Sequence, residues 1–106
     1  MIIDLSIVIP VYNEEKTILK ILERIKETKS DDYNYEIIII NDGSTDKSLD
    51  ILEQHSNLYT LLIKNKSNMG KGYSVKVGIE RANGKYIIFQ DADLEYDPEE
   101  FKNILK

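Results

Sequence analysis

"YEIIIINDGSTD", residues 35–46, decides the fold. Ile37 to Ile40 are four consecutive β-branched residues with no polar alternation. A strand with one wet face alternates, so a short continuous apolar run argues burial on both faces, as in a covered parallel sheet. The run stops at Asn41, and Asp42-Gly43-Ser44-Thr45 is turn chemistry.

Three other stretches read the same way. "LSIVIPV" (5–11) is short, β-branched and ended by Pro10; "LYTLLIK" (58–64) and "KYIIFQ" (85–90) are the others. Helical patterns separate them. Asn13 is the expected N-cap of the first, with Glu14 and Glu15 in its first turn and Ile18, Ile21, Leu22 and Ile25 at i, i+3, i+4, i+7. Asp46 to about Gln54 carries Leu49 and Leu52. Val75, Gly78, Ile79 and Ala82 mark a third helix. A fourth is expected after Asp97 as N-cap, with Pro98 at N1, Glu100 closing a capping box, and Phe101, Ile104 and Leu105 as its apolar stripe. The order βαβαβαβα predicts an α/β fold: a Rossmann-like parallel sheet with helices on both faces.

Composition narrows the function. The chain has 106 residues, fitting one domain over 1–106, and a net charge of −5. An acidic balance argues against nucleic acid, whose phosphates call for a basic face. There is no cysteine and one histidine, His55, which excludes disulfides and Cys- or multi-His metal sites. The apolar amino terminus has no basic n-region, and Asp4 and Pro10 interrupt it, so it does not read as a signal peptide. No stretch approaches the roughly 20 apolar residues of a membrane span. The expected location is cytoplasmic, or the cytoplasmic face of a membrane for a longer parent.

Parallel strands bring the residues after each strand to one edge, where open α/β sheets bind ligands. Tyr12, Asn13 and Glu14 follow the first strand; Asp42, Gly43 and Ser44 the second; Asn65, Lys66 and Asn68 to Gly72 the third; Asp91, Asp93 and Glu95 the fourth. Each has a plainer reading too. Asp42 to Thr45 serves as a turn and cap, Glu14 suits a helix dipole, the lysines suit a solvated loop, and Asp97 belongs to its cap. Asp91 and Asp93 are harder to explain that way. Close like charges repel unless a cation or donor neutralises them. Carboxylates at i and i+2 on a strand end can converge on a hard divalent ion, Mg²⁺ or Mn²⁺. Two nucleotide motifs fail: "PVYNEE" stands where a dinucleotide fold has G-x-G-x-x-G, and "NMGKGYS" lacks the first P-loop glycine.

Four segments together resemble the amino-terminal half of a family 2 glycosyltransferase: "SIVIPVYNEE" (6–15), "IIINDGSTDKS" (38–48), "NMGKGYSVKVGI" (68–79) and "FQDADLEYDP" (89–98). "NDGSTD" and "DADLEYDP" most resemble dolichyl- or polyprenyl-phosphate mannose synthase-like enzymes. The resemblance implies a GT-A fold with strand order 3-2-1-4, whose Rossmann-like half binds a nucleotide-diphosphate sugar such as GDP-mannose or a UDP-hexose. By that resemblance Pro10, Tyr12 and Glu14 contact base and ribose, and Asp42 contacts base or ribose. The D-x-D motif Asp91-Ala92-Asp93 binds the metal and the ribose–diphosphate region, with Asp93 the direct ligand. Glu95 stands where related synthases carry a Gln near the metal, and is a third candidate ligand. Lys71 is placed to face the diphosphate.

The implied chemistry is metal-dependent transfer of a hexose to an acceptor such as a polyprenyl phosphate or a saccharide, in cell-wall or glycolipid synthesis. A metal on Asp91 and Asp93 would stabilise the departing nucleoside diphosphate. No catalytic base is identified in this half. The acceptor-side strands are expected beyond residue 106, so the chain reads as a truncated donor half, with "KYIIFQ" an edge open to self-association. Two alternatives stand: a non-catalytic nucleotide-sugar-binding module of the same fold, and a receiver-like signalling domain. The receiver reading needs a phosphoacceptor aspartate after strand three, where this chain has Lys64-Asn65.

Overall fold

The computed structural model describes residues 2–28 and 32–92. Its strands are β1 (Leu5–Val11), β2 (Tyr35–Asp42), β3 (Leu61–Asn65) and β4 (Tyr86–Phe89). Its helices are α1 (Ile18–Glu27), α2 (Ser48–Gln54) and α3 (Lys71–Arg81), with a 3₁₀ turn at Ser56–Leu58. The strands pair in parallel in the order β3-β2-β1-β4, which is the order the GT-A resemblance implied. The expected fourth helix, with Asp97, lies outside the described residues.

The isoleucine run does what its lack of alternation requires. Ile37 and Ile39 join Leu5, Ile7, Ile9 and Val11 against Ile18, Ile21, Leu22 and Ile25 of α1 and Leu52 of α2. Ile38 and Ile40 join Val8 on the other face, with Val77 and Ala82 packed beside them. Register follows: Val8 lies opposite Ile38 and Ile9 opposite Ile39.

Among the described residues, cover on both faces holds for β1 and β2 but not for β4. Ile88 packs on the α1 side, whereas Tyr86, Ile87 and Phe89 are exposed, Phe89 by 45%. The third helix also turns a different face inward. Ile79, expected in its apolar stripe, is 45% exposed, and Ser74 and Gly78 are buried. The cause is close approach: a Cβ on Gly78 would stand 2.3 Å from Val8 Cγ1. Only the absent side chain lets α3 sit that near the sheet. The third strand starts later than expected, because residues 56–58 form the 3₁₀ turn and the Tyr59 hydroxyl donates to the Leu52 carbonyl at 2.8 Å.

Two polar devices set where β4 lies. At its start, Gly84 N donates to Ser6 Oγ (2.8 Å), Ser6 Oγ donates to Glu36 Oε2 (2.6 Å), and Asn83 N donates to the same oxygen (2.7 Å). Ser6 and Glu36 are buried, so this carboxylate is satisfied inside the protein. At its end, Gln90 N donates to Val8 O at 3.0 Å. The next bond of a parallel ladder would run from the amide of residue 10 to Gln90 O. Residue 10 is proline and has no such hydrogen, so the ladder stops and the chain leaves β1 at Asp91.

Candidate functional site

The carboxyl ends of the strands enclose a cavity of about 340 Å³ lined by Pro10, Val11, Tyr12, Glu14, Asp42, Asn68, Lys71, Asp91 and Ala92. Seven residues named from the sequence meet there: Pro10, Tyr12, Glu14, Asp42, Lys71, Asp91 and Ala92. Asp93 and Glu95 lie outside the described residues. A second cavity, of about 420 Å³, lies at the opposite ends of the strands beside Tyr33, Tyr35 and Tyr59. No carboxylate lines it among the described residues.

The first two strand exits are laced together. Asn13 takes a left-handed φ of +53°, which asparagine tolerates better than most residues. It does not cap its own helix, as its position suggested. Its Oδ1 accepts from the amides of Thr45 (2.8 Å) and Asp46 (3.2 Å), so it caps the turn after β2. The regular turns of α1 begin only at Ile18, after the Glu14 carbonyl accepts from the Thr17 and Ile18 amides. Return contacts run from Glu14 N to Ser48 Oγ (2.8 Å) and from Glu15 N to Asp46 Oδ2 (3.2 Å). Burial pushes the Asp46 carboxyl up, but the Ser48 hydroxyl and the Ser48, Glu15 and Asp46 amides outweigh it and hold the group below its ordinary value.

The third exit folds onto the second. Asp42 is 4% exposed. Its Oδ1 accepts from Met69 N (2.8 Å) and Asn65 Nδ2 (3.0 Å), and its Oδ2 from Gly70 N (3.0 Å). Gly43, at φ +69°, lies so near the same loop that a Cβ would stand 2.4 Å from Ser67 C. Gly70, at φ +97°, is the cap residue that opens α3, and Lys71 is the helix's first residue. Lys71 Nζ reaches across to Asp91 Oδ1 at 2.7 Å, which ties the third exit to the fourth. The Lys71 side chain is 66% exposed, so this pair contributes little to stability. The fourth exit is also held by Thr17, whose hydroxyl donates to the Ala92 carbonyl and lies 3.3 Å from Glu14 Oε2.

Thr17 escaped the sequence reading, because it carries no motif of its own; Asn65 and Asn68 already stand on the ligand edge as residues after the third strand.

The arrangement offers a ligand one aromatic face and one ammonium. Tyr12 presents a half-open aromatic face, and the ammonium of Lys71 stands at the first turn of a helix. A divalent metal also fits what is present. Asp91 Oδ1 already holds a cation, the Lys71 ammonium, and the carboxylates on the cavity offer only oxygen donors, which hard ions prefer. No group of three or more metal-ligating side chains occurs among the described residues.

A family model described as glycosyl transferase family 2 matches residues 6–106. The undecaprenyl-phosphate 4-deoxy-4-formamido-L-arabinose transferase of Proteus mirabilis is 38% identical over 104 residues, covering 94% of this chain and 32% of that protein. The dolichyl-phosphate beta-glucosyltransferase ALG5A of Trichomonas vaginalis is 35% identical over 97 residues, covering 84% and 30%. Among solved structures, S. aureus TarS 1-349 in complex with UDP superposes with a TM-score of 0.85 at 28% identity, covering 97% of this chain and 31% of that one. The chain thus spans about a third of the length of these relatives. On the family match over nearly its whole length, with a parallel sheet in the 3-2-1-4 order, the chain belongs to glycosyl transferase family 2.

Proposed function

We propose that residues 1–106 form the donor-binding part of a metal-dependent glycosyltransferase that moves a hexose from a nucleoside diphosphate to a polyprenyl phosphate. One observation carries the reading: seven residues chosen from four separate motifs line a single cavity. The acceptor class is taken from the two lipid-phosphate relatives, and the nucleotide from the UDP complex.

Each lining residue has a part. Tyr12 stacks on the base, with Pro10 and Glu14 beside the ribose. Lys71 pairs with the diphosphate. Asp91, with Asp93 and Glu95, would hold Mg²⁺ or Mn²⁺, which supplies positive charge to the leaving group when bound. In the transfer, an acceptor phosphate oxygen forms the new bond to the anomeric carbon as the bond to the donor phosphate breaks. The bonding pair departs with the nucleoside diphosphate. A phosphate acceptor is already anionic and needs little help from a base. No helix among the described residues is long and apolar enough to cross a membrane. A cytoplasmic site facing a membrane-borne acceptor is the location this reading favours.

The test is calorimetric titration of the 106-residue chain with GDP-mannose and UDP-glucose, with and without Mn²⁺, repeated on Asp91→Ala and Asp93→Ala. Metal-dependent binding of one donor, lost in both variants, is expected. So is the absence of sugar transfer by the isolated chain. Binding of neither donor under any condition would refute the nucleotide-sugar reading.

A further inference from the structure

Sheet pairing stops just short of Asp91. The last bond from this part of the chain to β1 runs from Gln90 N to Val8 O, and Pro10 has no hydrogen for the next one. Side chains take over from there. Gln90 Nε2 donates to the Asp91 carbonyl at 3.0 Å, and the Thr17 hydroxyl donates to the Ala92 carbonyl. That hydroxyl has one hydrogen and two acceptors in reach, of which Ala92 O is nearer than Glu14 Oε2 at 3.3 Å. Ala92 is itself buried in the core cluster that holds Ile18 and Ile21 of α1. The residue between the two aspartates is therefore fixed at the start of α1, where Thr17 immediately precedes Ile18. A further tie, the Lys71–Asp91 pair, is one that a diphosphate would compete for. The bond from Thr17 is spared that competition.

We propose that Thr17 is a positioning residue: it holds the backbone of Ala92 so that Asp91 stands at the cavity, ready for a divalent cation, when Lys71 turns to the ligand. The role rests on the nucleotide-sugar reading of the cavity and on its metal. A peptide unit is planar, so a bond to the Ala92 carbonyl fixes the whole unit, which links Ala92 to Asp93. Thr17→Val keeps the shape of the side chain and removes the hydrogen. Thr17→Ser keeps the hydrogen. Only the first should let the motif shift and weaken its hold on a metal.

Two measurements decide it, with Thr28→Val as control. Thr28 is buried at the other end of α1, and its hydroxyl donates to the Ile25 carbonyl at 2.8 Å. The first measurement is the ¹³C shift of the Ala92 carbonyl in the chain without ligands. It should move in Thr17→Val and stay at the wild-type value in Thr17→Ser and Thr28→Val. The second is affinity for UDP with Mn²⁺ and with EDTA, whose ratio reads what the metal adds. Thr17→Val should lower that ratio roughly fivefold or more, the effect of one lost hydrogen bond, and leave the affinity in EDTA unchanged. Thr17→Ser and Thr28→Val should keep the wild-type ratio. A structural role alone would lower both affinities together, or would act equally in Thr28→Val. Either result overturns the proposal, as does a wild-type ratio in Thr17→Val. If Thr17→Val does not fold, the wild type decides. With UDP present, Mn²⁺ should broaden the Thr17 and Ala92 methyl resonances well before that of Thr28, and equal broadening overturns the proposal. A wild type that binds no UDP, or binds it equally with and without Mn²⁺, refutes the reading of the cavity or of its metal, and the carbonyl shift still decides whether Thr17 holds Ala92.

Discussion

Gly78→Ala should destabilise the fold although alanine is the better helix former. In a helix interior the change from glycine to alanine ordinarily stabilises by roughly 0.5–1 kcal/mol. Here the new methyl would stand 2.3 Å from Val8 Cγ1, 3.1 Å from Ile40 Cδ1 and 3.3 Å from Val8 Cγ2. Carbon atoms rest at about 3.5–4.0 Å, so α3 and β1 must separate by roughly 1.2 Å or more. Val8 and Ile40 are both fully buried in the middle of the sheet and have nowhere to turn. Overpacking of this kind costs about 1–3 kcal/mol, and the severity of the closest contact places it toward the upper end. The net loss is then on the order of 1–2 kcal/mol, a fall in Tm of roughly 5–15 °C for a domain of this size. Gly72→Ala is the internal control: it lies in the same helix, and nothing stands within 4 Å of its Cβ position. Urea and thermal unfolding should move the two variants in opposite directions. If Gly78→Ala is as stable as wild type or more so, α3 does not approach β1 as closely as described, and the account of why Ile79 faces outward fails with it.

Ser6→Ala removes one donor from buried Glu36 and the acceptor of Gly84 N, which should destabilise by about 1–3 kcal/mol in chemical unfolding. Asp46→Asn tests pH linkage. A folded-state pKa held below the ordinary carboxylate value contributes stability that is present above that ordinary value and lost as pH falls through the lower folded one. The variant should therefore flatten the acid limb of stability against pH below about 4 and leave the neutral region's slope unchanged. Ile87→Lys tests the exposed β4 edge: if the edge pairs with another copy, sedimentation at high concentration should show association in wild type and a monomer in the variant. A monomeric wild type would count against such pairing.

The layout of the fold was readable because its main signals are local. The run from Ile37 to Ile40 specifies burial on both faces without reference to any other residue, and Pro10, expected to end its strand, ends only the ladder to β4 while β1 runs on to Val11. What escaped depends on partners far away in sequence. Asn13 looks like a helix cap because asparagine before two glutamates usually is one. Its actual partners, Thr45 and Asp46, are 32 and 33 residues on. Ser6 and Glu36 look like polar intrusions in buried strands until Asn83 and Gly84 arrive beside them. The helical period of α3 placed Ile79 inward, but a glycine's contribution is an approach distance, which no periodicity encodes. The cavity residues were legible for a simpler reason: parallel topology sends every strand exit to one edge, so polar residues after apolar runs had to converge.

Charge explains why the cavity needs more than shape. Among the described residues three carboxylates, Glu14, Asp42 and Asp91, line it against one lysine, a formal balance of −2. A diphosphate brought to that rim adds further negative charge. Asp42 is partly answered by two backbone amides and Asn65, and Asp91 by Lys71, but Lys71 cannot serve Asp91 and a diphosphate equally well. If the lysine turns to the ligand, Asp91 is left beside phosphate oxygens without its counter-ion. A divalent cation held by Asp91 would answer both demands, since it would neutralise the carboxylate and leave Lys71 to the phosphates. The charges gathered at the cavity therefore support the proposed metal dependence independently of the D-x-D resemblance.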